Sequence, residues 1–370
     1  MAKFTCPYCI RDYNLREVQY VCPSCGVVAT PGLFDKEPIK CKHGNCGGLA
    51  TQRKCPKCDR EIPRTALETP NLPFSIVGVS NSGKTNYITV MLHELGKASG
   101  LRLVLVPQNK ETRDHQNENV KNIYEKHIPP ESTASVTHGG ETMPQIWYIK
   151  NNQKKRGNNV PTYTFTIFDG AGEDHENGLD TSSTVCRYIQ ASKAIIIALD
   201  PLILSNIRKG GVVDEKVMRN SLAGDDGEYK NAVDIVNSLA DYIKTARGIN
   251  TSGTLKIPIA VVLTKFDTIM SHKSFGPNAL IRSSSLNVTE GKVNMEEIQE
   301  VDEEIRHWLY EIGEGVFIDA LTSHFKEYCF FGVSSYGEPP KDARTLSHHI
   351  RPHRVLDPIL WLFKKAKFID

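Results

Sequence analysis

The sequence predicts an α/β fold in three layers, a mostly parallel sheet with helices on both faces, with a small cysteine-rich module at its N-terminus. Three observations predict it. From about residue 71, short apolar runs alternate with segments of helical period. The first of these runs passes through a glycine-rich turn into a helix. Eight of the ten cysteines lie between Cys6 and Cys58, and that step in composition marks a domain boundary. At 370 residues and 39% hydrophobic, the chain has enough apolar material for a sizeable core. A formal charge of +2 gives no general pull toward nucleic acid or an anionic membrane.

The start, MAKFTCPYCI, lacks the basic and then apolar regions of an export signal. The most apolar stretches, Ala194 to Leu199 and Ile359 to Phe363, fall far short of the roughly 20 residues that span a bilayer. A cytoplasmic protein is expected. There is no internal repeat.

Residues 1–66 are expected to form the first unit. Cys6-Pro-Tyr-Cys9, Cys22-Pro-Ser-Cys25 and Cys55-Pro-Lys-Cys58 are CPxC knuckles, and Cys41 with Cys46 forms a wider pair. Thiolates at this spacing can face one tetrahedral ion, so eight ligands give two zinc sites of four cysteines each. Sequential sharing, Cys6/Cys9/Cys22/Cys25 and then Cys41/Cys46/Cys55/Cys58, is the preferred pairing; an interleaved arrangement stays open. Reducing cytosol disfavours disulfides. His43 reads as a surface residue rather than a ligand. The unit carries eleven Lys/Arg against six Asp/Glu. Eight thiolates and two Zn²⁺ remove four charges and leave about +1, so the basicity offsets the metal sites and gives little support to a nucleic-acid surface. Structural zinc is the default role, followed by docking of a protein partner.

Residues 67–370 are expected to form the second unit, after an extended linker over Glu61 to Pro73. Phe74 to Val79 reads as a strand, Lys84 to Ala98 as a helix and Leu101 to Val106 as a second β-like run. Met143 to Lys150 and Tyr163 to Phe168 read as an antiparallel hairpin. Ala194 to Leu199 and Ile257 to Leu263 read as fully buried strands. Ala232, Ile235, Val236, Leu239 and Ile243 share one helix face, as do Ile298, Val301, Ile305, Trp308, Leu309 and Ile312. A strand around Tyr328 to Val333 and a helix around Pro358 to Ala366 close the fold, and that helix is expected to pack on the sheet. The stretches near 101–141, 205–229 and 271–294 read as insertions.

Gly78-Val-Ser80-Asn81-Ser82-Gly83-Lys84-Thr85 is a complete GxxxxGK(S/T) loop between a predicted strand and a predicted helix. Such a loop turns backbone N–H groups onto phosphate oxygens at a helix N-terminus. Lys84 would reach the β- and γ-phosphates, and the Thr85 hydroxyl would ligate Mg²⁺. Asp169-Gly-Ala-Gly172 follows the hairpin strand, placing Asp169 to hold Mg²⁺ through water and Gly172 to meet the γ-phosphate. Thr264-Lys265-Phe-Asp267 follows a buried strand. The Asp267 carboxylate can accept from the N1–H and exocyclic amine of guanine, a pair adenine does not offer, and the Lys265 stem can pack over the ring. Backbone N–H groups of Ser334-Ser335 are placed to meet the guanine carbonyl.

This ordered set, GVSNSGKT, DGAG, TKFD and SS, resembles the G motifs of the Ras-like and translation-factor P-loop GTPases over residues about 74 to 340. The resemblance implies a three-layer GTPase sheet that binds GTP or GDP with Mg²⁺, hydrolyses GTP and switches a protein effector. The zinc ribbons, the long insertion after the first helix and the ending Arg354-Val-Leu-Asp357-Pro-Ile-Leu-Trp-Leu362 resemble the bacterial double-GTPase clade of conflict and defence systems. Two positions depart from the usual pattern. Glu173, followed by Asp174 and His175, stands where many such GTPases carry the glutamine that orients water, which implies slow unaided hydrolysis. Thr133 is the first choice, and Thr137 the second, for the switch threonine completing the Mg²⁺ shell. Asn81 stands where some relatives help bind K⁺; a loop residue bonding its own backbone is the competing reading. A nucleotide-dependent interaction module with negligible turnover and an ATPase are the alternative functions.

Overall fold

A computed structural model of the protein describes residues 3–29, 39–78, 81–130, 143–154, 160–169, 184–209, 231–285, 288–289, 292–340 and 345–369. Its centre is a seven-stranded sheet of β1 (Asn71–Val77), β2 (Leu103–Pro107), β3 (Gln145–Asn151), β4 (Thr162–Asp169), β5 (Ala194–Leu199), β6 (Ile259–Leu263) and β7 (Tyr328–Gly332). The spatial order is β7-β6-β5-β1-β4-β3-β2. Neighbours from β7 to β4 run parallel, whereas β3 is antiparallel to both β4 and β2. The chain therefore passes from β1 to the edge strand β2, works back through β3 and β4 to β1, and then builds outward on the other side through β5, β6 and β7.

The inner strands bury both faces. Ile195, Ile197 and Leu199 of β5 and Ile259, Val261 and Leu263 of β6 enter one core, while Ala194, Ile196, Ala198, Ala260 and Val262 enter the other. This is why those segments read as unbroken apolar runs. On the first face lie α3 (Thr184–Ala191), α4 (Ala232–Arg247), most of α5 (Met295–Glu311) and α6 (Gly315–His324). The second is covered by α1 (Lys84–Lys97) and α7 (Asp357–Lys365). The Phe363 ring of α7 lies 5.9 Å from that of Phe74 and 5.4 Å from that of Phe165, so the closing helix packs on the sheet.

The β-like run expected over Leu101 to Val106 is present as β2, which extends the sheet beyond the hairpin, and the stretch near 101–141 read as an insertion also carries a helix that was not expected, α2 (Lys110–Lys121). α2 lacks an apolar stripe because its buried face is polar. The Gln116 amide donates to the Thr89 carbonyl at 2.9 Å, and Thr112 Oγ1 accepts from the Ile146 N–H at 2.9 Å. The linker is not extended throughout, since Arg64–Glu68 forms a short helix after Pro63 and buries Ala66. Proline is well suited to this place because its missing N–H is not needed in a first turn.

Ahead of α7, Arg354 is 4% exposed and makes two ion pairs, at 2.9 Å with Asp357 and at 2.8 Å with Glu297. Its guanidinium also donates to the Leu280 carbonyl at 2.6 Å. Burial pushes the Asp357 carboxyl up and the Arg354 charge opposes that shift. Replacing Arg354 by Met would leave two inward carboxylates without their cation. The expected cost is about 3–5 kcal/mol, checked by urea unfolding at neutral pH.

Candidate functional site

The sequence motifs meet at the carboxyl ends of the parallel strands, around the point where the sheet changes direction of growth. In open α/β sheets this is where ligands bind. Gly78 follows β1, and a Cβ built there would lie 2.2 Å from the Ala198 carbonyl oxygen and 2.9 Å from Ser82 Oγ. No side chain fits, so the loop backbone lies against the end of β5. Gly83, with φ +77°, turns the chain into α1 in a conformation glycine adopts without a Cβ penalty. Lys84 is buried and its ammonium donates to the Gly78 carbonyl at 2.9 Å, spanning the loop. Ser82 Oγ is buried and has no hydrogen-bond partner among the described residues. Asn81 is exposed with φ +59°.

Asp169, the last residue of β4, is buried, and its Oδ2 accepts from the Thr85 hydroxyl at 2.8 Å. A threonine that gives its proton to a carboxylate turns its lone pairs outward, as a hard cation requires of a neutral oxygen ligand. This donor set fits Mg²⁺.

Thr264 joins the phosphate loop to the next strand end. Its hydroxyl lies 2.7 Å from the Ser82 carbonyl and 3.0 Å from the Leu199 carbonyl, so this residue clamps backbone. Lys265, with φ +48°, points its ammonium to Asp200 at 2.6 Å. Asp200 was not singled out from the sequence, although a carboxylate directly after a buried strand is the signal that could have found it. Asp267 is half-buried. Desolvation pushes its carboxyl up, while a hydrogen bond from Ser334 opposes that shift. Phe266 anchors the turn from beneath and passes close over Gly332, where a Cβ would lie 2.7 Å from the ring.

The expectation for Ser334 is corrected. Its N–H donates to the His353 carbonyl at 3.1 Å and is not turned to a base. The segment before α7 returns along this edge, and its Arg351 N–H also reaches the Tyr336 carbonyl, at 2.9 Å. The Ser334 side chain instead supports Asp267. Ser335 is half-buried beside it. Ser80, Gly172, Glu173 with Asp174 and His175, Thr133 and Thr137 lie outside the described residues.

The cysteines gather into two clusters, Cys6/Cys9/Cys55/Cys58 and Cys22/Cys25/Cys41/Cys46. The pairing is nested, and both the sequential and the interleaved assignments are overturned. The cause is local β-structure: Gln19–Val21 pairs antiparallel with Gln52–Lys54, bringing the fourth pair back to the first and leaving the middle pairs together. Sulfur–sulfur distances of 3.9 and 3.8 Å in the first cluster and 3.7 and 3.6 Å in the second match the edge of about 3.8 Å that a tetrahedron with Zn–S bonds of about 2.3 Å requires. They are far too long for a disulfide. His43 is exposed and outside both clusters. These residues fit Zn²⁺.

The three CPxC knuckles repeat one turn. The residue after the second cysteine takes a positive φ, at Ile10 (51°), Gly26 (70°) and Asp59 (55°), and its N–H closes onto the carbonyl of the first cysteine. For a β-branched isoleucine this conformation is strained. Ile10 packs against the core that contains Phe168 and Tyr188.

Gly78→Ala should force the loop away from β5 and cost about 1–3 kcal/mol, seen as a lower melting temperature. Zinc analysis should give two ions per chain, and the double variant Cys6→Ser with Cys55→Ser should retain one. Sequential sharing would lose both, because these cysteines would then belong to different sites.

No family model matches the chain. It is 24% identical over 332 residues to a Mycolicibacterium smegmatis protein named for ESX-1 scaffolding and assembly, SaeC, covering 83% of this chain and 78% of that protein. Among solved structures it is similar to the Saccharomyces cerevisiae Ski7 GTPase-like domain bound to GDP and inorganic phosphate, at 14% identity, 72% coverage of this chain and a TM-score of 0.30. It is also similar to LeoA, a bacterial dynamin GTPase from ETEC, at 15% identity, 82% coverage and a TM-score of 0.32. The chain spans 43% of the Ski7 chain and 39% of the LeoA chain.

Proposed function

We propose that the protein binds guanine nucleotide with Mg²⁺ and hydrolyses GTP slowly, acting as a nucleotide-dependent switch on a protein partner in the cytoplasm. The observation that carries this reading is the convergence of Lys84, Thr85, Asp169 and Asp267 at neighbouring strand ends, with Thr264 tying the phosphate loop to the base loop.

In this reading Gly78, Ser80, Asn81, Ser82 and Gly83 wrap backbone N–H groups around the phosphates, and Lys84 shifts from the Gly78 carbonyl to the β- and γ-oxygens. Thr85 and Asp169 are the residues that would hold Mg²⁺, and the ion would supply charge stabilisation on the transferring phosphoryl group. By the resemblance of the motifs, Thr133 would complete that shell, Gly172 would meet the γ-phosphate and Glu173 would take the place of the residue that orients water. Asp267 selects guanine, Lys265 packs along the base while Asp200 fixes its ammonium, and Ser335 approaches the base carbonyl. K⁺ beside Asn81 would add positive charge at the same place.

Among the described residues no helix is long and apolar enough to cross a membrane. The role in a bacterial conflict or defence system rests on the resemblance carried by the zinc ribbons, the long insertion after the first helix and the ending Arg354 to Leu362. A second reading, a nucleotide-held interaction module with negligible turnover, is favoured by the likeness to SaeC, whose name denotes scaffolding and assembly.

The test is binding and turnover of GTP and ATP by the zinc-loaded protein in potassium and in sodium buffers. GTP should bind in preference to ATP, and Lys84→Ala should abolish binding while leaving the fold intact by circular dichroism. Asp267→Asn should weaken guanine binding about a hundredfold or more, since the charge is lost and the amide offers one acceptor to two guanine donors, setting its own N–H against the other. Because burial raises the Asp267 carboxyl above its ordinary value, GTP affinity should begin to fall on acidification at a higher pH than for an exposed aspartate. ATP preference would overturn the base assignment, and GTP binding without turnover would select the second reading.

A further inference from the structure

The first cysteine knuckle is built into the nucleotide-binding sheet. Between Cys6 and Cys9, the Pro7 carbonyl accepts a hydrogen bond from the Tyr188 hydroxyl of α3. The Tyr188 ring is fully buried and stacks on Phe168, with centroids 4.5 Å apart and planes 13° from parallel. Phe168 immediately precedes Asp169, whose carboxylate holds Thr85. On the other side of the knuckle, the Tyr8 hydroxyl accepts from Asn109 at 3.1 Å, and its ring packs with Ile146 of β3. Ile10 completes the attachment in a left-handed conformation that isoleucine rarely adopts.

We infer that Tyr188 is a positioning residue that couples metal occupancy of the Cys6/Cys9/Cys55/Cys58 site to nucleotide binding at the phosphate loop. The inference rests on the proposed nucleotide site. A four-cysteine knuckle takes its fixed turn only when a metal gathers its thiolates, so it is an element with two states. With the ion in place, the Pro7 carbonyl pins the Tyr188 hydroxyl, the stacked Phe168 is held, and Asp169 stays at the distance that orients Thr85. Without it, the strained Ile10 turn relaxes, the hydroxyl of a fully buried tyrosine is left without its acceptor, and the end of β4 loses a support. Any such effect is reciprocal: if metal tightens nucleotide binding, nucleotide raises the affinity for the metal by the same factor, and slower loss of the metal is its expected kinetic expression. The second cluster lies one step further from the sheet: among the described residues it packs with Ile39, Ala50, Ala29 and Tyr20, and of these Tyr20 alone also packs against the first cluster.

The experiment uses the full-length zinc-loaded protein and two readouts: zinc release to a chromogenic chelator, and affinity for a fluorescent GDP analogue. Two release phases are expected. The slower should come from the first cluster, where three of four cysteines are buried against one of four in the second. GDP or a non-hydrolysable GTP analogue should slow that phase alone, by roughly fivefold or more. Tyr188→Phe, which keeps the stack and removes only the hydroxyl, should abolish this nucleotide effect and weaken GDP affinity by a similar factor, with the fast phase unchanged. Tyr188→Leu, which also removes the stack, should weaken affinity further. If the wild-type protein binds GDP yet releases both ions at rates independent of nucleotide, the coupling is wrong and the nucleotide site stands. Equal GDP affinity in wild type and Tyr188→Phe would also overturn it. Failure of the wild-type protein to bind any nucleotide overturns both readings.

Discussion

The approach of the Gly78 backbone to the Ala198 carbonyl at the end of β5 holds the candidate site together. Because no Cβ stands between them, the loop after β1 seats on its neighbouring strand instead of rising away from the sheet. Thr264 then bridges that seated loop to β5 and β6 through one hydroxyl between two carbonyls. Removing either feature would separate the phosphate loop from the strand that carries Lys265 and Asp267. The remaining groups are arranged around this junction.

Its rigidity comes from a sheet with both faces covered. The parallel strands β1, β4, β5, β6 and β7 end side by side, and their apolar side chains alternate into two cores roofed by different helices. The strand interiors hold only small hydroxyls among their buried polar groups on β1 and β4, Ser75, Thr164 and Thr166, whereas Asp169, Asp200 and Thr264 each follow or finish a buried run at a strand end. Buried carboxylates in such places are costly unless partnered. Asp169 meets Thr85 and Asp200 meets Lys265, and these pairings hold the side chains in place before any ligand arrives.

The cysteine module is joined to this frame and is not simply tethered to it. One cluster shares its surroundings with β3 and α3, while the other sits in a smaller shell that meets the first through Tyr20. The nested pairing creates that asymmetry, since the first and last cysteine pairs are the ones that meet the sheet. A sequential pairing would have placed an early and a late ligand set side by side, with no reason for one to differ from the other in burial.

Features that depend on neighbours along the chain were legible before folding was considered. GVSNSGKT announced a turn between strand and helix; Ile259 to Leu263 announced a strand buried on both faces; and CPxC spacing announced paired thiolates. These are local constraints of backbone freedom, side-chain period and ligand bite. Features that depend on distant segments were set by the folded arrangement alone. It chose the partners of the cysteine pairs through the antiparallel pairing of Gln19–Val21 with Gln52–Lys54. It formed α2, whose polar buried face carries no hydrophobic period because its contacts are hydrogen bonds to Thr89 and Ile146. It also gave the Ser334 N–H to His353 and the Lys265 ammonium to Asp200. Long-range hydrogen bonds and ion pairs leave no period in a sequence, and they fix where each local motif finally points.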